Sequence, residues 1–244
     1  MELIDKVVVV TGGAKGIGKS ISKELTEEKC RVIALDIDKQ EGEKLQFETD
    51  NKIEFICADI SKEEEIEKVC KYIINKYKKI DILINNAAKQ TENEFFKMSV
   101  KEFKDIIDTN LIGTFICSNI FGKFMGEGSK IINMLSVHYN KPRKNKYHYD
   151  ASKAAIAILT QEMALDIIDK GITVNAISYG ACNTPMNKEW LGNQKKVEDT
   201  KNKIPMRWIA EPKEIAGFVR TILVEFSDYT TGSIFSIDGG RSIN

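Results

Sequence analysis

The sequence predicts an α/β fold: one parallel sheet of seven strands with helices on both faces. Three observations predict it. Short apolar runs alternate with helical patterns from one end of the chain to the other, and strands separated by helices pair in parallel. The runs are continuous rather than alternating, K-V-V-V-V-T at 6–11 being the clearest, as suits strands buried on both faces. A glycine-rich turn follows that first strand, where folds of this class hold a phosphate. No linker, repeat or low-complexity segment interrupts the 244 residues, so one domain spanning 1–244 is expected.

Each element has its own warrant. After the first strand, Gly12-Gly13-Ala14-Lys15-Gly16-Ile17-Gly18 opens a helical pattern that runs to Lys29, and R-V-I-A-L-D at 31–36 is the second strand. A helix over 40–49 leads to a third strand at 53–58. Ser61-Lys62-Glu63-Glu64 reads as a capping box, opening a helix whose apolar stripe is Ile66, Val69, Cys70, Ile73, Ile74 and Tyr77. The fourth strand is 81–85; a long helical region follows over about 100–125, stopped by Gly126-Glu127-Gly128. A fifth strand at 130–135, a helix over 150–168 and a sixth strand at 173–178 complete the regular part. The polar segment 180–203 breaks the rhythm and is expected to be a mobile substrate lid. Pro212 then stands near the start of a helix to Val224, and 233–237 is the closing strand.

Composition narrows the function. Hydrophobic residues are 42% and charged residues 30%, within the range of soluble globular proteins. The 36 basic residues balance 36 acidic ones, which argues against nucleic acid or a membrane surface as partner. No apolar run has the length of a membrane span, and the N-terminus enters a strand without a signal peptide's features. Five cysteines (30, 57, 70, 117, 182) without a C-x-x-C pair suit reduced thiols in a cytoplasm. Two histidines at these spacings do not make a usual zinc site, so no metal is expected.

Two stretches carry the chemistry. In the first, Thr11, Gly12, Gly16 and Gly18 make T-G-x-x-x-G-x-G between strand and helix. Glycines let the backbone approach a pyrophosphate, and the helix N-terminus offers free N–H groups and a positive dipole end. Asp36 ends the second strand, where a carboxylate accepts an adenosine ribose 2′-OH and repels a 2′-phosphate. Lys15 pulls toward a 2′-phosphate, but an acceptor on the 2′-OH decides more directly, so NAD is expected and NADP is the alternative. In the second, Tyr149 and Lys153 stand four apart on one helix face, with Ser136 upstream at a strand end. A phenol of pKa about 10 needs a drop of roughly 2–3 pH units, about 3–4 kcal/mol, to act as a base near neutrality. An adjacent ammonium in a desolvated site supplies much of that. Tyr72 and Lys76 repeat the spacing, but on an ordinary surface helix with Asp59 where the first pair has Ser136.

With T-G-G-A-K-G-I-G, Asp59, N-N-A-A at 85–88, Asn110 in N-L-I-G, Ser136, Y-D-A-S-K at 149–153, V-N-A-I-S at 174–178, Thr184-Pro185 and the closing I-D-G-G, the chain resembles the short-chain dehydrogenase/reductase family over nearly its whole length. The resemblance implies a Rossmann-type doubly wound sheet and an NAD(H)-linked alcohol–carbonyl oxidoreductase. It implies Tyr149 as acid/base, Ser136 as partner of the substrate oxygen, and Lys153 as the group that lowers the Tyr149 pKa and meets the nicotinamide ribose. Asn110 would hold a water on a proton path. Gly12, Lys15, Gly16, Ile17 and Gly18 would cradle the pyrophosphate, Asp59 and Ile60 border the adenine, Asn86 and Ala87 the adjacent ribose region, and Thr184 the carboxamide. The segments S-V-H (136–138), G-A-C-N-T-P-M-N (180–187) and I-P-M-R-W-I-A-E-P-K-E-I-A (204–216) resemble bacterial glucose 1-dehydrogenases, implying a sugar or polyol.

Two residues depart from the family pattern: Ala88 replaces a usual Gly, and Tyr179 a usual Pro. Tyr179, His138 and Trp190 are candidate substrate contacts. The segment 139–146 carries four basic residues; it reads as a solvated loop or as a reader of an acidic or phosphorylated substrate. A 3-oxoacyl-[acyl-carrier-protein] reductase and a non-catalytic dinucleotide-binding sensor are the alternatives weighed; Asp36 argues against the first, and the intact Asn/Ser/Tyr/Lys set against the second. A homo-oligomer, tetramer or dimer, is expected through the helices around 100–125 and 150–168.

Overall fold

The structure, a computed structural model, describes residues 2–244. Its sheet has seven parallel strands: β1 (Val7–Thr11), β2 (Arg31–Asp36), β3 (Ile53–Cys57), β4 (Ile82–Asn85), β5 (Lys130–Met134), β6 (Thr173–Tyr179) and β7 (Ile234–Ile237). Their order is β3-β2-β1-β4-β5-β6-β7. The chain winds outward from β1 to β3, then returns to lay β4 against the other side of β1. The crevice at that reversal, beyond the carboxyl ends of β1 and β4, is where an open α/β sheet binds its ligand.

Alternate residues of each strand enter opposite cores. Val8, Val10, Val32, Ala34, Ile84 and Met134 pack beneath α1 (Gly16–Glu27) and α9 (Pro212–Glu225), with Leu45 of α2 (Lys39–Glu48) in the same cluster. Val7, Val9, Ile33, Leu83 and Ile131 pack beneath α3 (Glu63–Tyr77) and α5 (Gly113–Gly122). Helix α6 (Tyr147–Asp166) covers the same face, packing Ile156 and Ala157 on Leu135 and Ala176. All five residues of β1 are buried, so its valine run reflects a strand with no solvent face.

The structure refines two local expectations and corrects one. The helical region at 100–125 is continuous but not uniform: α4 (Val100–Ile107) passes through a π-helical turn, Asp108–Ile112, into α5, which ends at Gly122. Ser61 does not cap α3. Its N–H and hydroxyl both donate to Asp59 Oδ1 at 2.9 and 2.7 Å, and the helix begins from Lys62 without a side-chain cap. A capping box does form, at α9: Glu211 and Glu214 each accept from the other's backbone N–H, with Pro212 in the first turn. The polar segment 180–203 folds into a short 3₁₀ turn (Pro185–Asn187) and two helices, α7 (Lys188–Leu191) and α8 (Gln194–Asn202). The five cysteines are free thiols, and only Cys57 is exposed. Among the described residues no helix is long and apolar enough to cross a membrane.

Candidate active site

A cavity of about 840 Å³ opens at the carboxyl ends of the strands. It gathers most of the residues singled out from the sequence. Gly12, Lys15, Gly16, Ile17, Asp36, Asp59, Ile60, Asn86 and Ala87 line one end, with Thr184 facing Gly16; Ser136, His138, Tyr149, Tyr179 and Trp190 line the rest. Gly18, Asn110 and Lys153 are not on its wall.

The glycine turn is shaped by contact as much as by conformation. Gly12 and Gly16 have φ of +62° and +53°, and a Cβ on Gly12 would stand 2.8 Å from the Ala87 Cα, so only glycine suits that turn. A Cβ on Gly18 would stand 2.0 Å from the Gly12 carbonyl oxygen; its missing side chain lets α1 start under the turn. A Cβ on Gly16 would meet only Thr184 and Pro185, at 3.5 Å, which places those residues opposite it across the cleft. No side chain caps α1, so its first N–H groups remain available to an anion. Asn86 staples the turn to the end of β4: its Nδ2 donates to the Thr11 and Gly12 carbonyls at 3.0 and 3.1 Å. Thr11 Oγ1 accepts from the Asn86 and Ala87 N–H groups at 3.0 and 3.1 Å. Ala88 is not among the residues with positive φ, so the side chain that departs from the family pattern adds no backbone strain there.

Two carboxylates stand at the far end of β2. Asp36 accepts from the Ala14 N–H at 3.2 Å and from the Asp38 N–H at 3.0 Å. Lys15 donates to Asp38 Oδ2 at 2.7 Å. That hydrogen bond raises the Lys15 pKa, helped by the neighbouring carboxylates, and, with the Glu41 backbone N–H, lowers that of Asp38. Lys15 is therefore engaged with a carboxylate of its own chain. Asp59 is held near Ser61, whose hydrogen bonds keep its pKa low against the effect of burial.

At the other end, β5 delivers Ser136 and α6 delivers Tyr149 and Lys153, all buried. Burial pushes the Tyr149 pKa up; the charge of Arg143 and the hydroxyls of Tyr179 and Ser136 pull it down. The Lys153 ammonium donates to the Met134 carbonyl at 2.6 Å and stands 5.7 Å from the centre of the Tyr149 ring. The Arg143 charge thus adds a pull on the phenol beside the one the resemblance assigns to Lys153. Burial lowers the Lys153 pKa to about 8. Asn110 lies in the π-helical turn, a feature common at functional sites. Its amide is fully engaged: Oδ1 accepts from the Lys89 N–H at 2.8 Å, and Nδ2 donates to the Lys89 carbonyl at 3.0 Å and to Ser152 Oγ at 3.1 Å. Asn110 thereby fixes the loop after β4 to α6.

The structure gives these surroundings their partners and adds Arg143 and Asp150, which the sequence did not single out. Tyr179, at the end of β6, sets a second phenol beside Tyr149, and burial raises its own pKa well above the usual range. Arg143 places its guanidinium carbon 5.3 Å from the centre of the Tyr149 ring. Asp150 accepts from the Arg143 N–H at 2.9 Å and from Nη2 at 2.7 Å. His138 Nδ1 pairs with the Lys141 carbonyl at 2.7 Å, and burial with the Arg143 charge lowers its pKa to about 4, leaving it neutral. The second phenol–ammonium pair, Tyr72 and Lys76, is a surface cluster: both donate to Glu54 Oε1, at 2.5 and 2.8 Å.

Comparison with known proteins agrees with this geometry. The family model described as enoyl-(acyl carrier protein) reductase matches residues 12–242. The chain is 32% identical to 3beta-hydroxysteroid dehydrogenase 1 of Eggerthella lenta, over 99% of this chain and 95% of that one. The chain belongs to the short-chain dehydrogenase/reductase family. This family member is also 31% identical to glucose 1-dehydrogenase 2 of Bacillus subtilis, over 99% of this chain and 96% of the relative. Among solved structures it superposes on the ligand-free aldohexose dehydrogenase of Thermoplasma acidophilum with a TM-score of 0.91 at 30% identity, covering 99% of this chain and 96% of the other. Members of the family bind nicotinamide dinucleotides and act on small molecules. The open α1 N-terminus and the glycine turn that a Cβ would fill fit such a group.

Proposed function

We propose that this short-chain dehydrogenase/reductase interconverts an alcohol and a carbonyl compound with NAD(H), on a sugar-like or polyol-like hydroxyl. The observation that carries the reading is the buried Ser136–Tyr149–Lys153 cluster at one end of a cleft whose other end is the Gly12–Gly18 turn. Two of the three relatives named above are sugar dehydrogenases by name, which supports a hydroxyl of that kind. The dinucleotide supplies the hydride chemistry; the chain supplies position and a proton. Ser136 and Tyr149 hold the substrate oxygen, and Tyr149 gives it a proton in reduction or takes one in oxidation. Lys153 keeps a positive charge behind the phenol, Thr184 faces Gly16 across the cofactor groove, and Asn110 secures the wall between α6 and the loop at Lys89.

The choice of NAD rests on the far end of β2. Asp36 offers an acceptor where a ribose hydroxyl would lie, and Asp38 engages the Lys15 ammonium, which disfavours its use on a 2′-phosphate. Chain 1–244 acts as one domain in this reading, with 180–203 as the closing lid and Trp190 on its cleft side. Phe115 of α5 and Ile158 and Leu165 of α6 are exposed at 49%, 57% and 78%, which supports a homo-oligomer formed through those helices.

The test is Tyr149→Phe. It removes the proton donor and keeps the ring, so turnover should fall by about 10²- to 10⁴-fold while NADH binding, read by fluorescence, persists. A variant that kept most of its turnover would show that Tyr149 is not the acid/base.

A further inference from the structure

The chain is neutral overall, with 36 basic and 36 acidic residues, yet the substrate end of its cleft is not. Arg143, Lys144, Lys146, Lys196, Lys203 and Arg241 line it, against the carboxylates of Glu92 and Asp199. Lys144, Lys196 and Lys203 are exposed and Lys146 pairs with Glu92, and exposed charges do little more than steer an approaching anion. Arg143 is different. Its main-chain N–H and Nη2 grip the two oxygens of the buried Asp150 at 2.9 and 2.7 Å. Its guanidinium is thereby fixed 5.3 Å from the centre of the Tyr149 ring.

Asp150 occupies only part of this fork. Nη1 makes no hydrogen bond to the described residues, and the side chain remains 30% exposed on the wall of the cleft, while Nε is buried and takes no part. A guanidinium pinned on one side and free on the other is preorganised for a planar anion, which a lysine at the same place would not be. Its distance from the phenol also limits the ligand. An anion on Arg143 lies within a few bonds of the carbon whose oxygen meets Ser136 and Tyr149. That suits a charge on the substrate itself and not one at the far end of a long carrier arm.

We propose that the substrate is an anionic alcohol and its carbonyl product: a hydroxy acid, or a phosphate ester of similar size, whose anionic group docks on Arg143 while its hydroxyl meets Ser136 and Tyr149. This deepens the oxidoreductase reading and rests on it. The reaction balances as that reading requires: the carbinol carbon gives a hydride to the nicotinamide dinucleotide, the hydroxyl gives its proton through Tyr149, and an oxo acid (or oxo phosphate ester) remains. Here Arg143 sets specificity; its charge also pulls on the Tyr149 phenol, and Arg143→Lys keeps that charge.

The test has two arms. The first measures kcat/KM for matched pairs: an aldonate against its aldose, a short 3-hydroxy acid against the alcohol lacking its carboxylate, and a sugar phosphate against the free sugar. The native enzyme should favour the anionic member, and the carboxylate and phosphate pairs tell the two sources of charge apart. In Arg143→Lys, which keeps the partner of Asp150 but loses the fork, the ratio of anionic to neutral kcat/KM should fall about 10- to 100-fold, mainly through KM. The second arm titrates malonate and phosphate against the enzyme–NADH complex by fluorescence; binding should weaken in Arg143→Lys by a similar factor. Neutral members turned over as well as anionic ones, or a ratio unmoved by the substitution, would overturn the proposal and leave the oxidoreductase standing. Arg143-dependent anion binding without any turnover would uphold the anion site and overturn the oxidoreductase. Turnover of carrier-bound thioesters with no preference within the small-molecule pairs would also overturn it.

Discussion

The cofactor end of the cleft permits a prediction worked from distances. Asp36 is held by the Ala14 and Asp38 N–H groups, so its carboxylate is fixed in place and not free to turn away from a phosphate. Two unit charges about 4 Å apart interact by about 4 kcal/mol at an effective dielectric of 20. Half of that, allowing for solvent and salt at a groove edge, is about 2 kcal/mol, or about 30-fold against a 2′-phosphate. Asp36→Asn removes the repulsion, keeps the shape, and weakens the bond to a ribose hydroxyl by about 1 kcal/mol. Together these should shrink the preference for NADH over NADPH by about 100-fold in Kd, measured by fluorescence titration at fixed ionic strength. Adding Asp38→Asn releases Lys15 from its 2.7 Å partner and should move the ratio a further fivefold or so toward NADPH. Lys15→Met in that background should take the gain back. A ratio that Asp36→Asn moves less than about threefold, or a native enzyme that prefers NADPH, would refute the argument.

Lys153→Met tests the buried ammonium. The native-state pKa of about 8 lies below the ordinary 10.5, so the unfolded chain binds more protons between those values and stability rises with pH across that window. Relative to Lys153→Met, the native chain should gain about 3 kcal/mol between pH 8 and pH 10.5, read as the difference in urea midpoints; a pH-independent difference would show that the ammonium is not desolvated. Tyr179→Phe removes a hydroxyl that favours the Tyr149 phenolate, so the rise of kcat/KM for alcohol oxidation should move to higher pH by about one unit or more, and an unmoved profile would place Tyr179 outside the proton chemistry.

The strands were readable because their burial is complete. A strand with helices on both faces demands an unbroken apolar run, and V-V-V-V at 7–10 admits little else. Six of the seven predicted strands miss the observed limits by a single residue at one end, and the second matches them. The site was readable for another reason: the Gly12–Gly18 turn and the Tyr149/Lys153 pair each depend on backbone geometry at short sequence separation. What stayed hidden were choices among partners. Ser61 is the right residue in the right place to cap α3, but Asp59, two residues earlier, competes for its hydroxyl. Lys15 seemed available to a phosphate until the loop after β2 brought Asp38 against it across 23 positions. The Tyr72/Lys76 pair meets the same helical spacing as Tyr149/Lys153, and only the fold reveals that Glu54 on the neighbouring strand absorbs both groups.

The polarity of the site follows from where the Asp150 carboxylate points. Lys153 is buried with a neutral carbonyl as its partner, and Tyr149 is buried and neutral beside it. A buried cation without a counter-ion is costly, and Asp150, three residues before it, is near in sequence to neutralise it. Asp150 instead turns to Arg143, which fixes that guanidinium over the phenol. The floor of the cleft is therefore left positive, an arrangement that favours negative charge developing on the substrate oxygen or on the Tyr149 oxygen. The same ion pair that leaves Lys153 without a carboxylate also positions Arg143. Asp150→Asn should then affect both ends at once, loosening the guanidinium and leaving it as an unpaired charge against the ring. On this view the residue between Tyr149 and Lys153 that matters most is the one that avoids them.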